Sequence, residues 1–403
     1  MKTRNKFCKI IGMTMTHSRN LIGFLVLTYA FSACTPSNTV KGYIEGLSND
    51  TIIVVLVSLT NFGEQEPVQD TIFAKNGRFV YVFPNNGAYG IEFSFPQFYV
   101  PRPGGGYIRP NNGTLLLFTE SNNRISFKSD INSAGLCNFT VFESKLNRDY
   151  SIICNQLFEI DITEIEEQLA IEQGMVDKNK DLEDTGWAKR RERLSAHRAL
   201  FGNFIRTNLD NPLSAFLLFR QPLDSVGKYY NKLGESARNS IFRNMLDGEM
   251  ERYKEYMNVL KAQEEIVVGS MAPDFSLEGV DGKLFTLSSL CGKYVIIDFW
   301  GSWCGPCVFG IPKMKSIYEK YRDKLEILGV ACNEQSVNTW RDAVKQHELP
   351  WINVYNDKSS GVNVIYGIDA YPTKIVIDRE GKILIREKGE GENFYKTLEY
   401  MLD

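Results

Sequence analysis

One stretch, residues 294–307 with the sequence YVIIDFWGSWCGPC, constrains this chain more than any other. Its β-branched apolar run at residues 295–297 predicts a buried strand, and the Cys-Gly-Pro-Cys that follows is expected to open a helix. The free N–H groups and the positive dipole end of a helix N-terminus lower the pKa of a thiol placed there. Because a thiolate is the nucleophile in disulfide exchange, the pattern favours a redox pair in which Cys304 attacks and Cys307 resolves the mixed disulfide. We expect Cys307, which lies one turn inside the helix, to be the more buried of the two.

Zinc binding is the alternative interpretation of a Cys-X-X-Cys pair. The sequence contains no second pair of this spacing, and its three histidines, His17, His197 and His347, are scattered along the chain. A structural zinc site needs four ligands, usually supplied by closely spaced Cys and His residues. We therefore predict no metal and no cofactor.

Asp298 lies six residues before Cys304, in an otherwise apolar strand. We expect it to place an acid at the base of a redox site.

These residues resemble the signature of the thioredoxin superfamily. The matching residues are Asp298, Phe299, Trp300, Trp303, Cys304, Gly305, Pro306 and Cys307, and Tyr371-Pro372-Thr373 matches the cis-proline loop that faces the cysteines in that fold. Residues 268–290 resemble the first segment of the TlpA/ResA-like, AhpC/TSA-related branch. Members of that branch are membrane-anchored thiol-disulfide oxidoreductases outside the cytoplasm. The resemblance covers roughly the last third of the chain.

The resemblance implies roles for particular residues. Asp298, with water, would handle the proton of Cys307, and a cis Pro372 would lie opposite the cysteines. A docking surface for the substrate would be formed by Trp303, Tyr371, Pro372 and Thr373. Members of the branch often carry a glutamate three residues after the second cysteine. Here Gly310 takes that place, so a proton-handling role for such a glutamate is missing or moved.

The first 33 residues predict an export signal. They contain five basic residues, Lys2, Arg4, Lys6, Lys9 and Arg19, and no acid, with an apolar run at residues 21–31. That run is too short for a membrane-spanning helix, which needs about 20 residues. The segment Phe31-Ser32-Ala33-Cys34 resembles a lipobox, so we predict a lipidated Cys34 that anchors the protein in a lipid bilayer. The alternative is an ordinary cleaved signal, in which Cys34 is incidental.

The net charge and the motifs of the chain limit the kinds of partner it can bind. Removal of the five basic residues takes the formal net charge from −3 to −8, so the mature protein is mildly acidic. It has no basic stripe and no nucleic-acid-binding motif, and we expect no nucleic-acid partner. The predicted location is the cell envelope, lipid-anchored and facing the periplasm.

The 403 residues allow two or three domains. Residues 34–135 predict an all-β domain, because residues 52–59 read as a continuous apolar strand and Phe79, Tyr81 and Phe83 alternate after Asn76-Gly77, a strong hairpin signal. Residues 136–265 change to a helical period and predict a helical spacer, in which Asn211-Pro212 starts one helix. The predicted order is a signal at 1–33, a β domain at 34–135, a helical spacer at 136–265 and an α/β thioredoxin-like domain at 266–403.

The sequence leaves the roles of three other cysteines undecided. Cys137 and Cys154 could pair in an oxidising compartment, and the sequence does not decide between paired and free thiols. Cys332 is expected to end at the same sheet edge as Cys304. It is therefore either a third redox thiol or a buried inert cysteine, and the second reading is favoured.

We predict a thiol-disulfide oxidoreductase that reduces protein disulfides outside the cytoplasm and receives electrons from a membrane thiol donor. One alternative is a lipoprotein whose β domain binds a peptide or glycan while the thioredoxin domain is a passenger. The other is a peroxiredoxin-like peroxidase. It would need a threonine three residues before its reactive cysteine, and Gly301 occupies that place.

Overall fold

The computed structural model describes residues 37–357 and 359–403. These form two compact units, one ending at Glu251 and the other comprising Arg252–Asp403. The predicted signal and Cys34 lie outside the described residues. Within the described ranges, no helix has the length and apolar character needed to cross a membrane.

The first unit begins with two four-stranded sheets that share one apolar core. Their orders are β10-β9-β1-β4 and β3-β2-β5-β8, and β6 and β7 form a separate pair. Both sheets contribute to the core, for example through Ile44 of the first and Val54 of the second. The strands are β1 Thr39–Glu45, β2 Thr51–Ser58, β3 Val68–Phe73, β4 Arg78–Val82, β5 Tyr89–Ser94, β6 Val100–Pro101, β7 Tyr107–Ile108, β8 Thr114–Thr119, β9 Arg124–Asn132 and β10 Gly135–Val141.

The expected hairpin around Asn76-Gly77 is wrong in one respect. The turn forms, with φ of 49° at Asn76 and 72° at Gly77. The strands that flank it, however, join different sheets, since β3 pairs with β2 and β4 pairs with β1. By crossing to the other sheet, β4 directs Phe79 and Tyr81 into the shared core, so burial of these aromatic rings overrides the local hairpin preference.

Helices follow the strands, and those that end before Glu251 belong to the same compact unit. Asn147 joins the first helix to β8 by a pair of hydrogen bonds with the Phe118 backbone, both 2.7 Å long. Asn211 caps a helix that starts at Pro212, as predicted. The domain limits 34–135, 136–265 and 266–403 stay predictions. The helices are α1 Lys145–Asp161, α2 Glu164–Asp177, α3 Lys180–Thr207, α4 Pro212–Phe219, α5 Leu223–Tyr229, α6 Glu235–Arg238 and α7 Arg243–Glu265.

The second unit is built on a seven-stranded sheet of order β12-β11-β15-β14-β13-β16-β17. The central strand β13 runs parallel to β14 and antiparallel to β16. The strands are β11 Ser276–Gly279, β12 Leu284–Thr286, β13 Tyr294–Trp300, β14 Leu325–Cys332, β15 Ile352–Asn356, β16 Thr373–Ile377 and β17 Ile383–Lys388, and the helices are α8 Gly305–Tyr321, α9 Val337–Gln346, α10 Val362–Ile365 and α11 Glu392–Leu402.

The two faces of β13 explain where its one acid points. Successive side chains of a strand alternate between faces. Val295, Ile297 and Phe299 lie in one apolar cluster, whereas Ile296 lies in another with residues of α8 and α11. Asp298 therefore projects toward the α8 side, into a position that an apolar residue would otherwise fill.

Candidate active site

Cys304 lies at the N-terminus of α8, as the sequence predicts. It caps the helix, and its Sγ accepts a hydrogen bond from the Cys307 N–H at 3.3 Å. The two cysteines form a disulfide with Cα atoms 5.3 Å apart. A backbone N–H directed at Sγ stabilises negative charge on that sulfur. The same geometry in the reduced state would favour a thiolate at Cys304.

Burial does not distinguish the two cysteines in the expected way. We predicted that Cys307 is the more buried, but Cys304 is 4% exposed and Cys307 is 7% exposed, so that expectation is wrong. Cys304 packs in a cluster with Trp300 and Ala331, and Tyr371 lies against the same cluster. A difference in reactivity would therefore come from the electrostatics of the helix end rather than from solvent access.

The predicted docking residues divide into exposed and buried members. Trp303 is 51% exposed, its indole N–H donates to the Cys332 carbonyl at 3.0 Å, and its ring lies edge-on to Tyr371 at 5.5 Å. The Tyr371–Pro372 peptide is cis, as predicted. Thr373 is fully buried, and its hydroxyl donates to the Ala370 carbonyl at 2.8 Å, so its side chain holds the loop.

Phe309 is an apolar surface residue that the sequence analysis missed. It lies on α8 two residues after Cys307 and is 82% exposed. Helical spacing gave a signal for it, because the apolar residues of α8 that are buried, such as Ile311 and Met314, define the opposite face.

Asp298 lies on the α8 side of β13 in a mostly buried position. Its Oδ1 is 3.9 Å from Lys374 Nζ and, among the described residues, accepts no hydrogen bond. Burial raises the pKa of Asp298 above its ordinary value, the Lys374 charge lowers this pKa in part, and the Glu390 charge raises it further.

Lys374 and Glu390 are further charged groups that the sequence analysis missed. Lys374 is buried in β16, directly opposite Asp298 in the β13–β16 register. Its Nζ donates to Glu390 Oε2 at 2.6 Å, and the Tyr395 hydroxyl donates to the other Glu390 oxygen. No local sequence signal marked Lys374, because its place beside Asp298 depends on the register between β13 and β16. Glu390 follows β17 and could not be placed without the fold.

Glu334 was also missed, and it holds the turn before Cys304. Its carboxylate accepts hydrogen bonds from the Ser302 N–H and the Ser302 hydroxyl, both at 2.6 Å. Glu334 is buried, so these bonds satisfy a desolvated carboxylate and fix the backbone ahead of the redox pair.

The remaining cysteines do not join the pair. Cys332 is fully buried, and burial raises its pKa to about 12, which fits the favoured reading of an inert thiol. Cys137 and Cys154 are not bonded to each other in the structure, and Cys291 is exposed. Across residues 37–357 and 359–403, no group of three or more His, Cys, Asp or Glu side chains is arranged to hold a metal ion.

Comparison with known proteins gives a family match over the segment that contains the redox pair. Residues 268–385 match the AhpC/TSA family. The chain is 34% identical over 136 residues to the thiol-disulfide oxidoreductase ResA of Bacillus cereus, covering 34% of this chain and 78% of that protein. It is 31% identical over 150 residues to the thioredoxin-like protein YneN of Bacillus subtilis, covering 37% and 86%. The crystallised thioredoxin domain of a Bacteroides vulgatus thiol-disulfide oxidoreductase is 29% identical, with a TM-score of 0.32, covering 34% of this chain and 99% of that one.

Proposed function

Because this chain belongs to the TlpA/ResA-like branch of the thioredoxin superfamily, as a protein-disulfide oxidoreductase, we propose that it reduces protein disulfides outside the cytoplasm through Cys304 and Cys307. The observation that carries the proposal is the position of this pair. Both sulfurs lie at the start of α8, and a backbone N–H is directed at Cys304 Sγ. The sulfur at that end is the one best stabilised as a nucleophilic thiolate.

The proposed reaction has two exchange steps. The Cys304 thiolate attacks one sulfur of a substrate disulfide, forms a mixed disulfide and releases the other substrate sulfur as a thiolate. Cys307 then loses its proton to Asp298, through water, and attacks Cys304 Sγ. The second substrate sulfur leaves, and the Cys304–Cys307 disulfide remains. The substrate has gained two electrons, and the enzyme pair has lost them.

Exposed aromatic side chains beside the pair supply the proposed docking surface. Trp303 and Phe309 are largely exposed, and the half-buried Tyr371 precedes the cis proline. Flat apolar groups of this kind bury area against varied protein segments with little loss of side-chain entropy. The surface supports protein substrates rather than one small molecule.

The test of this function is a trapping experiment. Cys307→Ser removes the resolving thiol, so it should accumulate mixed disulfides between Cys304 and partner proteins. Cys304→Ser should trap nothing and should not reduce insulin disulfides. Cys291→Ser, which removes an exposed thiol elsewhere, is the matched control and should behave as wild type. A wild-type chain that fails to reduce insulin would contradict the proposal and favour a binding lipoprotein with a passenger domain.

We also propose that the protein is lipid-anchored through Cys34 at the periplasmic side of the envelope, where a membrane thiol donor would reduce the pair again. The support is the basic leader and the apolar run that closes at Cys34. Metabolic labelling with a fatty-acid analogue should mark wild type and not Cys34→Ser. Equal labelling of the two would contradict the anchor.

A further inference from the structure

A buried charge cluster lies beneath the redox helix, and Gly310 makes room for it. A Cβ added at Gly310 would lie 2.4 Å from Glu390 Cδ and 2.5 and 2.6 Å from the two Glu390 oxygens. These distances are well inside van der Waals contact. The Glu390 carboxylate therefore occupies the space that a side chain at position 310 would fill.

This position is close to the resolving cysteine. Gly310 follows Cys307 by three residues in α8, and residues three apart on a helix are neighbours on one face, with Cβ atoms about 5–6 Å apart. Glu390 thus approaches the face of α8 that carries Cys307. Asp298 projects toward α8 from β13, so both carboxylates lie between the central strand and the redox helix.

Lys374 lies much closer to the Glu390 carboxylate than to the Asp298 carboxylate. Lys374 Nζ lies 2.6 Å from Glu390 Oε2 and 3.9 Å from Asp298 Oδ1. The shorter contact is a charge-assisted hydrogen bond, and the longer one is not a hydrogen bond. Glu390 also accepts a hydrogen bond from Tyr395. Glu390 is therefore held by two donors, whereas Asp298 Oδ1 is buried with no donor among the described residues.

We propose that Glu390 is a positioning residue that holds Lys374 away from Asp298 and so keeps Asp298 able to accept the Cys307 proton. The proposal rests on the reductase function proposed above and deepens its second step. With Glu390 in place, Lys374 is neutralised by another carboxylate. Without it, Lys374 would be free to pair with Asp298, stabilise the ionised carboxylate and weaken Asp298 as a base.

The step that Glu390 controls is the resolution of the mixed disulfide. The Cys307 S–H bond breaks, its proton passes to the Asp298 carboxylate, and its electron pair forms the bond to Cys304 Sγ. The bond between Cys304 and the departing sulfur breaks, and that sulfur leaves as a thiolate. Glu390 and Lys374 neither donate nor accept a proton in this step. They affect only how readily the Asp298 carboxylate accepts one.

Other charged or titratable groups border the cluster, and a pH profile must take them into account. Tyr395 of α11 bonds Glu390, with burial raising the pKa of Tyr395 far above its usual value. Cys332 of β14 feels the Asp298 charge. Lys313 of α8 and Glu392 of α11 interact with Tyr395 from outside. The raised pKa values of Tyr395 and Cys332 keep both groups protonated at neutral pH, so neither of them produces an acidic limb.

The test measures the second step directly. Reduced protein carrying Cys291→Ser is mixed with dithiobis(nitrobenzoate), and the release of thionitrobenzoate is followed at a series of pH values. The fast phase reports attack by Cys304, and the next phase reports resolution by Cys307. Glu390→Gln should slow only the second phase, by about tenfold at neutral pH, and should move its acidic limb to lower pH.

Two further variants separate this role from a structural one. Gly310→Ala, whose Cβ would displace the Glu390 carboxylate, should reproduce the Glu390→Gln effect. Adding Lys374→Met to Glu390→Gln removes the competing charge, so the second phase should recover and its acidic limb should return to higher pH. Glu380→Gln, at an exposed glutamate in the β16–β17 turn, should match wild type.

Two results would overturn the inference. One is an unchanged second phase in Glu390→Gln. The other is a double variant slower than Glu390→Gln, as loss of structure would produce. A wild-type chain that reacts with the reagent in two phases but never reduces insulin would instead contradict the proposed function and leave the role of Glu390 in the second phase standing.

Discussion

Each unit of this protein buries an ionic cluster, and the two clusters differ in how completely they are paired. In the first unit, Arg193 binds Asp161 at 2.9 Å and Glu167 at 2.6 Å, and His197 binds Asp161 at 2.7 Å. All four carboxylate oxygens there accept hydrogen bonds, the last from Asn111. In the second unit, Asp298 keeps one buried oxygen without a donor among the described residues.

The difference indicates different roles. Burying a charge is unfavourable unless other groups replace the hydrogen bonds that water would make. In the first cluster, such a group bonds every carboxylate oxygen. Burial raises the pKa of Asp161, but His197 and Arg193 outweigh it, so this pKa lies below its usual value. The pKa of Asp298 moves the other way. A carboxylate left underpaired beneath a dithiol is suited to accept a proton, whereas the paired cluster joins α1, α2 and α3.

Breaking the paired cluster should give the largest effect. Arg193→Met leaves Asp161 and Glu167 buried without their main partner, which should lower the free energy of unfolding of the first unit by about 3–5 kcal/mol. Urea unfolding followed by hydrogen exchange of peptides from α1 to α3 measures it. Arg191→Met, at an exposed arginine of the same helix, should change it by less than about 0.5 kcal/mol. Equal effects of the two substitutions would remove the distinction between the clusters.

Changing the underpaired acid should affect catalysis without weakening the fold. Asp298→Asn removes the proposed proton acceptor, so turnover of insulin disulfides should fall by about 100-fold. Because the folded pKa of Asp298 is raised, its stabilising contribution is lost as the pH rises through that pKa. At neutral pH the neutral amide should therefore leave stability unchanged or higher. Wild-type turnover in this variant would remove Asp298 from the mechanism.

The smallest effect concerns the pH dependence of the first unit. Glu164 lies beside the paired cluster, and burial raises its pKa to about 7. A carboxyl group whose pKa is higher in the folded than in the unfolded protein stabilises the fold at a pH below its unfolded pKa. For Glu164, this contribution is lost as the pH rises through about 7. In Glu164→Gln, the free energy of unfolding measured with urea should therefore fall less than in wild type as the pH rises through about 7. The lowered Asp161 pKa acts oppositely, since its contribution is lost only in acid.

The sequence predicted the parts of the site that depend on local patterns. The strand β13, the start of α8 at Cys304 and the cis Pro372 follow from apolar runs, helix-terminus chemistry and a recognisable motif.

The parts it did not predict depend on contacts between distant segments. Glu390 reaches Gly310 across 80 positions of sequence, and Lys374 meets Asp298 only through strand register. The Asn76-Gly77 turn shows the same limit, because its local signal was right while the pairing of its strands was decided by the shared core. The burial of Cys304 likewise comes from its packing with Trp300 and Ala331, which a local motif does not encode.

The most direct test of the central claim is the order in which the two cysteines react. The fully reduced protein is treated with limiting iodoacetamide at neutral pH, and the modified peptides are quantified by mass spectrometry. Since Cys304 is no more exposed than Cys307 in the disulfide form, access does not favour it, and preference should follow the thiolate alone. The account predicts modification of Cys304 first. Modification of Cys307 ahead of Cys304 would contradict the assigned roles.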